Sequence, residues 1–325
     1  VFHTQFPHNY NQLNRAAMYA FFNEHFSLGH AAIAERDFLP LSQNEATVWS
    51  STHPKPSGDQ VGDLHETRLL ALVSRDSDQQ ISALVPVSRE DLQSYRDAVG
   101  DAWETLIGRR EDQVGKVAYQ LISSSETAPF LIQSGMVRNL DHKEQVPVLK
   151  FVPQPKNDKQ VSVIWVTDDG KMSAFETGKV VDEIQLFVRA GYTVIVPELF
   201  GQGELAATVV KDQSQRLWFQ RGGDKGWHKF SGYTYGFNHC LFAQRTHDLL
   251  SVIAHARGEE GVCLIGRGQV AGPLVAAACS QARESVQRCI VEPQGFRFAS
   301  VDRHEHPMFV PGSVKYLDLD GLISL

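Results

Sequence analysis

The stretch Gly261-Val-Cys-Leu-Ile265, continued by Gly266-Arg-Gly-Gln-Val-Ala-Gly272 and Pro273-Leu-Val-Ala-Ala-Ala-Cys279, decides how the chain is read. A short apolar run bounded by glycine has the form of a strand buried on both faces. Glycines at 266, 268 and 272 make a tight turn. The small residues after it let a helix leave close against the strand that leads into it. The pattern therefore predicts a strand ending at Ile265, a sharp turn over 266–272 and a helix from Val270 to Arg283.

Working outward, the same alternation recurs. Val161-Ser-Val-Ile-Trp-Val166, Tyr192-Thr-Val-Ile-Val-Pro197 and Val286-Gln-Arg-Cys-Ile-Val291 are apolar runs of strand length, and helical spacing covers Ala174 to Arg189 and about Leu241 to Ala256. Strands alternating with helices in this way predict an α/β fold with a doubly wound, mostly parallel sheet. Upstream, Val117–Ile122, Phe130–Ile132 and Val146–Phe151 read as an antiparallel edge of that sheet. One module over 116–325 results.

Residues 46–115 read as a linker and helical bridge, with the Pro-rich connection Thr52-His-Pro-Lys-Pro-Ser-Gly58 and helices over Asp63 to about Leu84 and Ser88 to Ile107. Ser88 and Asp91 give the second helix a capping-box-like start. Residues 1–45 read as a strand over Val1–Phe6, a polar turn carrying His8, and an amphipathic helix from Gln12 to Leu28, with Asn11 as N-cap and Gly29 as stop. The chain opens on a strand without an initiator Met and stops in the apolar Tyr316–Leu325, so a piece of a longer polypeptide is expected. A sheet stopping after Val286–Val291 leaves an open edge, to be completed by an upstream module or another chain.

Composition narrows the function classes. The 325 residues are 42% hydrophobic with a formal net charge of −7, and the basic residues are scattered among acids. Neither a nucleic-acid nor a membrane partner is expected. Cys240, Cys263, Cys279 and Cys289 lack zinc or CxxC spacing and are expected to be small buried hydrophobes. His304, Glu305 and His306 are too few to make a metal site, so no metal is assigned. Gly266-x-Gly268-x-x-x-Gly272 is not a dinucleotide fingerprint and no P-loop lysine follows it, so no cofactor is assigned either. The aromatic stretch from Leu217 to Phe237 fits a cleft wall that stacks on sugars, or a loop packed over the sheet.

The turn at 266–272 has the context of a nucleophile elbow, strand, G-x-S-x-G, helix, in which the serine oxygen is exposed above the sheet. With Gly266 at the first glycine, Arg267 and Gln269 flank Gly268 at the serine position, and Val270 takes the second glycine's place. Glycine cannot form an acyl-enzyme. The other reading of the same residues is an ordinary strand–turn–helix.

On these residues, together with Pro7-His-Asn-Tyr-Asn11, Arg15–Phe22, Trp165–Lys171 and Gly191–Gly203, the chain resembles the acetyl xylan esterase and dienelactone-hydrolase-like branch of the α/β-hydrolase superfamily, in its tandem two-module bacterial form. The resemblance implies that residues 1–45 end a first, active module whose general base is His8, with its serine and acid lying upstream. It implies equally that the second module is degenerate at Gly268. The substrate implied is a carboxylic ester, with acetylated polysaccharide as one such class, and the location periplasmic or secreted. In that branch Asp168-Asp169 fall in the oxyanion loop. Two carboxylates there oppose an oxyanion, so they read as a solvated turn. A non-catalytic scaffold or carbohydrate-binding module, and an interaction subunit completed by another chain, remain the alternatives.

Overall fold

The computed structural model describes residues 3, 5–31, 33–127, 129–155, 161–204, 235–258, 261–303 and 306–325. The chain divides into two compact units, Val1–Leu69 and Leu70–Leu325. The boundaries expected at 45/46 and 115/116 do not coincide with this division.

In the first unit, helix α1 (Gln12–His25) starts at Asn11, whose side chain accepts from the Asn14 N–H at 3.1 Å, and the chain leaves it at Phe26. A second short helix, α2 (Gln43–Ala46), is opened by a reciprocal Ser42/Glu45 capping box. Of the strand expected over residues 1–6, His3, Gln5 and Phe6 are described, and none of the three is in a strand. A strand needs a ladder partner. Among the described residues of this unit no other strand offers one.

The division between units falls within α3 (Gly62–Ser82). The second unit then opens with α4 (Asp91–Tyr95), a π-turn over Arg96–Gly100 and α5 (Asp101–Ile107) as one continuous helix. Ser88 and Asp91 hydrogen-bond reciprocally at its start, as the sequence predicts. Its role differs from a bridge. Tyr95, Val99, Trp103 and Ile107 are buried in the main core. They recur every four residues, a spacing that drifts around a 3.6-residue helix, and the wider π-turn keeps them on one face.

The sheet contains β1 (Val117–Thr127), β2 (Phe130–Asn139), β3 (Glu144–Pro153), β4 (Ser162–Thr167), β7 (Thr193–Pro197), β8 (Val262–Arg267) and β9 (Val286–Glu292), in the order β1-β2-β3-β7-β4-β8-β9. β1, β2, β3 and β7 pair antiparallel in sequence along that order, and β7, β4, β8 and β9 pair parallel. This is the expected α/β sheet with an antiparallel edge. The helix predicted over 174–189 is shorter: a small hairpin of β5 (Phe175–Glu176) and β6 (Lys179–Val180) precedes α6 (Asp182–Arg189). Gly178, at φ +78°, makes that turn.

Alternate residues of each central strand feed the two faces. Ile164, Val166, Ile195 and Leu264 point into the core under α7 (Leu241–Ala256), α8 (Ala271–Ala282) and the 91–107 helix, while Val163, Trp165, Val194 and Val196 meet α6. Double burial explains why these strands read as unbroken apolar runs. A last helix, α9 (Asp318–Ile323), is tied to the 91–107 helix by the Tyr95 hydroxyl, which donates to the Gly321 carbonyl at 2.9 Å. β9 lies at the sheet edge and most of its residues are exposed. Among the described residues no helix is long and apolar enough to cross a membrane.

If the 91–107 helix is core, Trp103→Ala lowers unfolding free energy by about 3–5 kcal/mol, as for other buried tryptophans. Urea denaturation measures it. A loss under about 1 kcal/mol would return the helix to the status of a bridge.

Candidate functional site

The parallel ladder between β4 and β8 pairs Thr167 with Arg267, so the next residue of each strand, Asp168 and Gly268, leaves the sheet at the same level. α8 then starts at once. Gly266 and Gly272 permit this: a Cβ on Gly266 would lie 2.7 Å from the Ala271 carbonyl oxygen and the Val275 Cβ, and one on Gly272 would lie 2.8 Å from the Pro293 Cα. Strand and helix nearly touch, the geometry that an elbow requires. Gly268 has φ +124°, its N–H donates to the Glu292 carbonyl at 3.0 Å, and its carbonyl accepts from the Gly272 N–H at 3.1 Å.

The space beside Gly268 is occupied. One oxygen of Asp168 accepts from the backbone N–H groups of Val270 at 3.0 Å and Ala271 at 2.8 Å. A Cβ added to Gly268 would fall within the Asp168 carboxylate. Asp168 is exposed, but the solvated-turn reading is incomplete, because this carboxylate is the cap of α8. It satisfies two orphan amides and sets a negative charge on the positive end of a 12-residue helix. N–H donors that could face an oxyanion at this helix start are taken by an anion of the protein itself.

Behind Asp168 the loops after β4 and β7 are held by buried ionisable groups. Glu198, fully buried at the end of β7, accepts from the N–H groups of Lys171 at 2.9 Å and Glu204 at 2.6 Å. On α7, Arg245 donates to the carbonyls of Phe200 at 2.8 Å and Gly201 at 3.2 Å, and Asp248 accepts from the Phe200 N–H at 2.7 Å. Burial lowers Arg245 to about 10 and pushes Asp248 up to about 7. Sequence reading passed over these residues, since each looks like an ordinary charge on a helix or loop. Their partners are backbone groups on other elements, which no local pattern displays.

A second polar cluster lies where α7 meets the end of α5. His247 is bonded through Nε2 to the Ile107 carbonyl at 2.7 Å, and the His239 ring stands edge-on at 5.0 Å. As the carbonyl only accepts, Nε2 carries the proton. Burial, with help from the neighbouring Arg109 guanidinium, lowers His247 to about 4. Arg109 itself forms a two-pronged pair with Glu144 at 2.6 and 3.0 Å.

The other residues singled out in the sequence take these places. Arg267 is half-exposed, with Nε donating to Glu292 at 2.9 Å, and the Gln269 side chain donates to the Gln294 carbonyl at 3.4 Å. Neither contact assembles a catalytic set. His8 belongs to the first unit, exposed in the loop ahead of α1. Residues 217–234 of the aromatic stretch lie outside the described residues, as do His304 and Glu305. His306 accepts from the Met308 N–H through Nδ1 at 3.1 Å, and among the described residues no group of three metal-ligating side chains occurs. The expectation of uniformly buried cysteines holds for Cys240; Cys263 and Cys279 are half-buried and Cys289 is exposed, because β9 is an edge strand.

No family model and no curated protein sequence matches the chain. Among solved structures it is similar to a protein of Bacteroides fragilis NCTC 9343 provisionally assigned as an acetyl xylan esterase, at 12% identity and TM-score 0.43, over 62% of this chain and 56% of that one. It is similar also to an acetyl xylan esterase from Paenibacillus sp. R4, at 15% identity and TM-score 0.37, over 61% and 62%. A glucuronoyl esterase from Solibacter usitatus matches at 15% identity and TM-score 0.36, over 54% and 51%. The chain thus spans 51–62% of these proteins' lengths.

Two outcomes follow from this geometry. Asp168→Ala costs about 1–2 kcal/mol as a lost cap, and Gly268→Ala costs roughly 2–5 kcal/mol through positive φ and collision. Combined, they cost less than the sum, because removing the carboxylate removes the collision; a strictly additive double-mutant cycle refutes the contact. For His247, the folded value near 4 lies below the ordinary 6.5, so the unfolded chain binds a proton first as pH falls. The stability advantage of the wild type over His247→Gln is therefore full near neutral pH and shrinks by roughly 3 kcal/mol between about pH 6.5 and 4. Guanidinium melts across that range give the slope.

Proposed function

We propose that residues 70–325 are a non-hydrolytic α/β-hydrolase-like module of an esterase-type protein, and that hydrolysis of a carboxylic ester, acetylated polysaccharide being the substrate class, belongs to a further module to which His8 contributes the general base. One observation carries the first half: at the end of β8 there is glycine, and the carboxylate of Asp168 fills the space a nucleophile would use. An acyl-enzyme needs a nucleophile and free oxyanion donors, and this turn offers neither. The second half is supported by the resemblance of Pro7–Asn11 and Arg15–Phe22 to a histidine loop and its closing helix. The exposed setting of His8 ahead of a capped helix leaves its ring accessible to a serine from elsewhere.

The chain of residues 1–325 is expected to release no p-nitrophenol from short-chain esters above a protein-free control and to take no label from a fluorophosphonate. Gly268→Ser is expected to stay equally silent, because a serine without base and donors gains little. Labelling of either protein contradicts the proposal for the module. For the full-length protein, His8→Ala is expected to lower kcat by roughly 10³-fold or more with KM little changed, as removal of a triad base does; unchanged kcat removes His8 from the mechanism.

A further inference from the structure

Helix α8 and strand β9 run in opposite directions, joined by the short turn Arg283–Ser285. At Gly272 the helix lies tightly against the backbone of Glu292 and Pro293 at the end of β9. From that point the two backbones can be stepped back together. Seven residues along a helix advance about 10 Å, and three residues along a strand cover about the same distance. Starting from Gly272 and Glu292, the residues that come level are Cys279 and Cys289.

Both side chains are on the facing surfaces. Gly272, Ala276 and Cys279 share one helix face by their spacing. On β9, Cys289 is the ladder partner of Leu264, which is buried in the core beneath α8, and Cys279 packs against the same core. Cys263 is excluded as a partner: it pairs with Arg288 and packs on the opposite face of the sheet. Cys240 is buried at the start of α7. We propose that Cys279 and Cys289 form a dithiol site that reacts with small-molecule disulfides and closes a disulfide fastening α8 to the edge strand.

The chemistry of the pair gives the two thiols different roles. Hydrogen bonding between them raises the Cys279 thiol, which keeps its proton, and holds Cys289 below the usual thiol range. Cys289 is also the exposed member of the pair. Its thiolate attacks one sulfur of the small disulfide, whose S–S bond breaks and releases the first thiolate. Cys279 then gives up its proton and attacks the Cys289 sulfur, expelling the second thiolate. Two protein thiols are oxidised to one disulfide, and the small disulfide is reduced to two thiols. No further oxidant is needed.

The test incubates the reduced 325-residue chain with oxidised glutathione at mildly alkaline pH and reads intact mass and a peptide map under non-reducing conditions. The expected product is lighter by two hydrogens, with Cys279 joined to Cys289 and with Cys240 and Cys263 still open to alkylation. Cys279→Ser is expected to stop at a single glutathione on Cys289, and Cys289→Ser to carry none on Cys279. A wild-type chain that accumulates the glutathione adduct without closing, joins any other pair of cysteines, or does not react overturns the proposal. The wild-type map decides the question even if a variant fails to fold.

Discussion

The close approach of α8 to the ends of β8 and β9 is the constraint on which the second unit turns. Side chains at 266 or 272 would push the helix off the sheet, since each Cβ would meet backbone at under 3 Å. With glycine at both, the first turn of the helix comes down between the strand ends, and its free amides meet whatever the neighbouring strand presents at that level. β4 presents Asp168. The carboxylate is drawn there by the helix end and the two amides, and held by a ladder that sets Thr167 opposite Arg267. The strand–turn–helix is thus tight, and the space beside Gly268 is filled by the protein's own anion.

A cap of this kind is precise only if the loop that supplies it is fixed, and here buried ionisable side chains do the fixing. Glu198 ties together Lys171 and Glu204, while Arg245 and Asp248 grip the backbone of residues 200 and 201 from α7. Ions taken out of water are costly unless hydrogen bonds replace hydration. These three side chains use backbone amides and carbonyls for that purpose, and the hydrogen bonds that offset their desolvation also order the loops around Asp168. The neutral His247, on the same helix, follows the same logic in its cheaper form: burial favours the uncharged ring, and one carbonyl satisfies its proton.

The 91–107 helix shows how local patterns mislead. Read alone, Tyr95, Val99, Trp103 and Ile107 at four-residue steps spiral around a helix and form no clean stripe. One π-turn at 96–100 realigns them into a core face. The hairpin at 175–180 misleads in the opposite way, because its apolar residues fall near helical spacing while Gly178 reverses the chain between them.

The sequence by itself determined the elements whose signal is local. Doubly buried strands appear as apolar runs at 161–166, 192–197 and 261–265; α7 is delimited by its own periodicity, the start of α1 by Asn11, and the tight strand–turn–helix by the glycines at 266, 268 and 272. Tertiary structure alone decided what depends on strand order and register. Nothing within Asp168-Asp169 says that β4 lies beside β8, yet that neighbourhood converts a surface carboxylate into the plug of the turn. The same holds for Glu198, Arg245 and Asp248, whose partners are backbone groups on other elements, and for Cys279 and Cys289, brought level only because α8 folds back along β9. Side-chain periodicity reports which face of an element is buried; it carries no information about which neighbour buries it.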